Sequence, residues 1–127
     1  MGQDLIDNNV ISNYFSESFP PKAMTFMEGV FDQIPTISVI TEIEALSWVN
    51  PDKSKEIILQ EFIEDANILG LTPEVIKECV KIRRSKKIKT PDAIIAATAI
   101  AFNLTLITSD TDFKNIEGIQ IVNPFDL

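Results

Sequence analysis

An α/β fold is predicted by the sequence: a three-layer α/β/α sandwich with a central, mainly parallel sheet of about five strands. Three observations point to it. Short β-branched runs alternate with longer runs of helical periodicity along the whole chain, so strands are separated by helices and pair in parallel through crossovers. One helical run, "TPDAIIAATAIAFN", is apolar on nearly all sides and belongs at the centre. The length of 127 residues with 45% hydrophobic content suits a single domain, residues 1–127, with its own core.

Each element follows from its local pattern. "DLID" reads as a short strand, and "NNVISNYFSES" as a helix opened by an Asn cap. "PPKAMTFMEGVFDQI" is a helix with prolines at its start. "TISVIT", β-branched almost throughout, is the clearest strand. "EIEALSWV" is a short helix ending near Asn50-Pro51, and "DKSKEIILQEFIEDA" a longer amphipathic one. "NILGLT" is a strand, after which Thr72-Pro73 opens the helix "PEVIKECVKIRRSK". In "TPDAIIAATAIAFN", Thr90 is the expected cap and Pro91 the first helical residue. "LTLIT" and "IQIVNP" are the last strands, joined by "SDTDFKNIEG".

Composition narrows the chemistry. No apolar run approaches the roughly 20 residues of a membrane span, and "MGQDLIDNN" lacks the basic and apolar regions of a signal peptide, so a cytoplasmic protein is expected. The single Cys79 excludes an internal disulfide, and the absence of His excludes a Cys/His zinc site and an imidazole base. Polar chemistry must rest on carboxylates, hydroxyls, lysines or a hard metal ion. Net charge is −8, yet Lys81, Arg83, Arg84, Lys86, Lys87 and Lys89 crowd into "KIRRSKKIK". Such a run is either a solvated helix end or a positive surface with a task.

The acids show the more telling pattern. Asp7 follows the first strand, Glu42 and Glu44 follow "TISVIT", and Asp110 and Asp112 follow "LTLIT". Parallel strands would bring all of these to the carboxyl edge of the sheet, where open α/β folds bind ligands. Asp92 sits just inside the start of the apolar helix, where an acid also favours the helix dipole without any function. Carboxylates sharing one crevice repel one another and raise one another's pKa values. A cation removes the difficulty, and an oxygen-only donor set points to Mg²⁺ or Mn²⁺. Such a site can lower the pKa of a bound water and stabilise the attacking and leaving oxygens of phosphodiester hydrolysis.

"LIDNNVIS", "ISVITEIEAL" and "TPDAIIAATAIAFNLTLITSDTDFKNI" resemble the successive signatures of PIN-domain ribonucleases, most closely the VapC-like toxins of bacterial type II toxin–antitoxin systems. The resemblance covers essentially the entire chain. Its third segment is the most specific, with an acid opening an alanine-rich helix, then a strand and a T-x-D-x-D-F turn. It implies a PIN-like fold and a single-stranded RNA endonuclease using Mg²⁺ or Mn²⁺. It also implies a homodimer restrained by a small antitoxin protein. Carried over by position, the catalytic acids fall on Asp7, Glu44, Asp92 and Asp110, and the metal ligands on Asp7, Asp92, Asp110 and Asp112. Glu42 competes with Glu44, which is favoured because "AL" follows it. Asn9, Thr108 and Ser109 take the supporting polar positions. Asn8 departs from the Thr or Ser common in the family, and its amide can still donate a hydrogen bond. Arg83, Arg84, Lys86, Lys87 and Lys89 become the RNA-binding rim, although an acidic antitoxin segment would suit them too.

Trp48, Phe62 and Phe102 read as core or dimer-interface residues, and Tyr14, Phe15 and Phe19 as candidates for a partner groove. Two rival readings remain. A Mg²⁺-binding phosphatase or phosphoacceptor receiver also gathers acids at strand ends, but a receiver needs adjacent acids after the first strand and a Lys after the last, and this chain has neither. A non-catalytic PIN-like module would use the basic stretch for binding alone.

Overall fold

The computed structural model describes residues 3–127. Five short strands form one all-parallel sheet in the order β3-β2-β1-β4-β5. They are β1 (Asp4–Ile6), β2 (Thr36–Ser38), β3 (Asn67–Leu69), β4 (Thr105–Ile107) and β5 (Gln120–Val122). The helices are α1 (Asn8–Phe15), α2 (Pro21–Phe31), α3 (Val39–Leu46), α4 (Lys53–Asp65), α5 (Pro73–Ser85) and α6 (Thr90–Ala101). Short 3₁₀ turns at Thr111–Phe113 and Pro124–Asp126 complete the described elements.

The period-two alternation of each strand divides the core into two. Leu5 and Leu106 pack with Val75 and Ile82 of α5 and with Ala93, Ile95, Ala96 and Ala99 of α6. Ile6, Ile37 and Ile107 face the other way, onto Val10 and Ile11 of α1, Ala23 and Met27 of α2, Ala45 of α3 and Ile63 of α4. This is the three-layer sandwich, with apolar side chains filling both interfaces. Each fully buried Leu or Ile here contributes about 1.5–3 kcal/mol. The alanines of α6 let α5 approach closely, which explains why "AIIAATAIA" is nearly all apolar.

Several boundaries differ from the sequence reading. "TISVIT" is only half strand. Ser38, wholly buried, accepts a hydrogen bond from the Ile40 N–H at 3.0 Å, caps α3 and turns Val39, Ile40 and Thr41 into helix. A capping side chain thereby outweighs the strand preference of three β-branched residues. The cap of α1 is Asp7 rather than an asparagine, and the residue before α6 is Lys89, with no side-chain cap bond, so Thr90 is already helical. Thr72 caps α5 as its sequence indicates, accepting from the Val75 N–H at 3.2 Å. Glu17, just beyond α1, has φ 54°, a left-handed conformation that ends the helix earlier than "NNVISNYFSES" suggests.

Candidate metal centre

β1, β2 and β4 are adjacent and parallel, so the segments leaving them share one edge of the sheet. Asp7 leaves β1, Ser109 to Asp112 leave β4, and α3 leaves β2 with Glu44 in its second turn. The start of α6, with Asp92 in its first turn, meets them there.

Asp7 is the fixed point. Only 5% exposed, it directs Oδ1 to the backbone N–H of Asn8 at 2.9 Å. Its Oδ2 accepts from the Thr108 hydroxyl at 2.8 Å and from the Asn9 amide at 3.1 Å. Position 8 thus contributes its main chain, so the Asn found there costs this contact nothing. The Asn9 side-chain oxygen Oδ1 accepts from the Ser109 N–H at 3.3 Å, and Thr108 Oγ1 accepts from the Asp110 N–H at 3.0 Å. Asp110 in turn caps the 3₁₀ turn, accepting from the Asp112 N–H at 2.9 Å. A continuous hydrogen-bonded chain therefore runs from the end of β1 to both acids after β4.

Asp92, Asp110 and Asp112 each offer a carboxylate oxygen, and these lie within 4.8 Å of one another. Asp7 and Glu44 stand beside this trio. Burial raises the Asp7 carboxyl above the usual aspartate range, against the hydrogen bonds from Thr108 and Asn8, and Asp92 and Asp110 push it further up. Glu44 is raised first by partial burial and then by the charges of Asp7 and Asp92. Asp92 is raised by burial and by Asp110 and Asp112, with Lys89 pulling the other way. Its proximity to Asp92 joins the basic stretch to the acids.

The donor set suits a hard divalent cation. All its groups are carboxylates, and the two ion pairs among the described residues, Lys53–Glu56 and Lys81–Glu78, involve none of them. Three unpaired carboxylates held this close carry uncompensated charge that an ion of the Mg²⁺ class would neutralise. Thr41 Oγ1, one helical turn before Glu44, is buried without a hydrogen-bond partner among the described residues. Neither Ser38 as the cap that sets α3 nor this hydroxyl was singled out by the sequence pattern. The signal for Ser38 is a Ser directly ahead of an acid-bearing apolar run.

Among the aromatic residues, Phe19 departs from the sequence reading. Phe19 is buried and packs on Phe125, away from any open groove, whereas Tyr14 is half-buried and packs edge-on to Phe31. Phe15 stays half-exposed against Phe62, while Trp48 and Phe102 lie at the surface. The basic residues Arg83, Arg84, Lys86 and Lys87 line a notch of about 450 Å³ at the turn between α5 and α6.

No curated protein matches the chain. Among solved structures it is similar to a toxin–antitoxin complex from Klebsiella pneumoniae, with 29% identity and a TM-score of 0.69 over 95% of this chain and 97% of that one. FitAcB from Neisseria gonorrhoeae gives 25% identity and a TM-score of 0.76 over 98% and 99%. DNA-bound VapBC from Salmonella typhimurium shares the fold, with a TM-score of 0.78 at 20% identity over 98% and 99%. The PIN-domain family model matches residues 5–119, a span that takes in every acid described above, and the chain belongs to the PIN-domain family.

Proposed function

We propose that this protein is a Mg²⁺- or Mn²⁺-dependent endoribonuclease that hydrolyses phosphodiester bonds in single-stranded RNA, and that it is the toxin of a toxin–antitoxin pair. The observation that carries the reading is the convergence of Asp92, Asp110 and Asp112 beside Asp7 and Glu44 at the carboxyl edge of the sheet.

Asp7, Asp92, Asp110 and Asp112 would hold the ion. When bound, it supplies charge neutralisation for the phosphoryl oxygens and acidifies a coordinated water. Glu44 is placed differently. Its raised pKa and partial exposure suit a group that orients the attacking water and takes a proton at its carboxylate. Thr108 and Asn9 keep Asp7 oriented, and Ser109 ties that pair to the β4 loop. Lys89 beside Asp92, with Arg83, Arg84, Lys86 and Lys87 behind it, offers phosphate oxygens the positive charge that the crevice lacks.

A protein partner is supported by exposed apolar side chains on and after α3, namely Ile43, Leu46, Trp48 and Val49, together with Ile57 and Ile58 of α4. We assign these to association with a second copy or with an antitoxin. The test is cleavage of a mixed RNA pool with Mg²⁺, Mn²⁺ or chelator by the wild type, Asp7→Asn and Asp92→Asn. Metal-dependent cutting lost in both variants is expected. A folded wild type that neither cuts RNA nor binds either ion overturns the reading and leaves a binding module.

A further inference from the structure

On the far side of the α5–α6 turn, a groove of about 1260 Å³ runs between α5 and the loop entering β5. Ile82, Ile100 and Ile116 contribute its apolar lining. Along α5 it is lined by Lys77, Lys81 and Arg84, spaced i, i+4 and i+7, which is one face of a helix. Lys86 continues the line into the basic notch, and Lys89 carries it to Asp92. The opposite wall is the loop 115–118, exposed but for Ile116. A chain of net charge −8 has thus gathered cations into one track that begins at its acid crevice and ends at Lys77.

We propose that this groove is the path along which single-stranded RNA continues beyond the cleavage site, its phosphate backbone following Lys86, Arg84, Lys81 and Lys77. The inference rests on the nuclease reading above and adds to it a second, remote contact zone. From Arg84 to Lys77 the helix rises about 10 Å, room for a few successive phosphates. The fit is not uniform. Lys81 leans on Glu78 at 3.7 Å, and Glu117 stands on the facing loop, so the track grips weakly and without base readout. Lys77 is the decisive residue, because it lies two turns from the basic notch and its ammonium pairs with no acid among the described residues.

The experiment compares single-stranded RNAs of about 5 and about 20 nucleotides, lengths that bracket a typical single-strand contact. Cleavage in Mg²⁺ and binding in Ca²⁺ are followed for wild type, Lys77→Glu, Lys77→Arg and Glu117→Lys, with melting curves for each. Lys77→Glu should weaken binding and slow cleavage of the long RNA about tenfold, reduce its salt slope by roughly 0.7 and leave the short RNA unaffected. Lys77→Arg should retain wild-type behaviour, and Glu117→Lys should tighten the long RNA alone. If wild type cuts both RNAs but these variants change neither, or change both lengths equally, the groove is not on the RNA path. Its cations then face something else, such as an acidic peptide segment. A wild type that cuts neither RNA fails the nuclease reading itself, a result distinguishable from failure of the groove.

Discussion

Thr108 does more at this site than its chemistry suggests, because one buried hydroxyl serves two acids. It donates to Asp7 Oδ2 at 2.8 Å and accepts from the Asp110 N–H at 3.0 Å, tying the ends of β1 and β4 together. Thr108→Val keeps the shape, removes the donor and leaves the Asp110 N–H without this acceptor. Groups that orient metal ligands typically contribute 10–100-fold to affinity or activity. The expected result is a loss of about that size in Mn²⁺ affinity by calorimetry, with about 1–3 kcal/mol lost in stability, and recovery of both in Thr108→Ser. Unchanged Mn²⁺ affinity in Thr108→Val would sink this role. The acids themselves were legible in the sequence because each follows a strand or opens a helix, positions fixed by the alternating pattern. Their pairwise distances were not, since the 4.8 Å grouping of Asp92, Asp110 and Asp112 depends on the 3₁₀ turn that Asp110 caps.

At the scale of elements, α3 is where the sequence was hardest to read. Val39, Ile40 and Thr41 have strand propensity, and only the Ser38 cap makes them helical. Glu44 therefore reaches the crevice from the second turn of a helix that starts immediately after β2, without an intervening loop. Ser38→Ala removes the cap and should cost about 1 kcal/mol, read by chemical denaturation. It should also reduce cleavage more than it reduces divalent-ion affinity, because Glu44 stands outside the Asp92–Asp110–Asp112 trio. Equal losses in both would place Glu44 among the ligands. By contrast, α5 and α6 were plain in sequence: Thr72-Pro73 and Pro91 mark their starts, and the alanine pattern marks α6 as the buried partner. The Lys77–Lys81–Arg84 alignment was implicit in that helix, but the opposite wall of its groove comes from a loop far along the chain, which periodicity does not locate.

Across the whole molecule, the fold concentrates like charges where the core can least solvate them, and this couples stability to pH and to metal. Asp7, Glu44 and Asp92 all have carboxyl groups raised first by burial and then by neighbouring acids of the crevice. A raised carboxyl binds its proton more tightly in the folded than in the unfolded state. Its contribution to stability is therefore complete below the unfolded value, roughly pH 4, and is lost as pH rises through the raised folded value. Without metal, these groups make the protein less stable on going from mildly acidic to neutral pH. Acids outside the crevice act in the opposite sense, Asp52 and Glu56 being lowered by local hydrogen bonds, so the site's share must be isolated by difference. An ion bound to the folded state alone removes the repulsion and stabilises by mass action, about 2.7 kcal/mol at a hundredfold excess over Kd. Melting temperatures measured with chelator and with Mg²⁺ should therefore diverge as pH rises, with little difference near pH 4 and the largest at neutral pH. Asp92→Asn should shrink that divergence, since it removes one carboxylate of the trio and one source of the Asp7 and Glu44 shifts. Parallel melting curves for the two conditions across the pH range would mean that the crevice holds its charge without an ion.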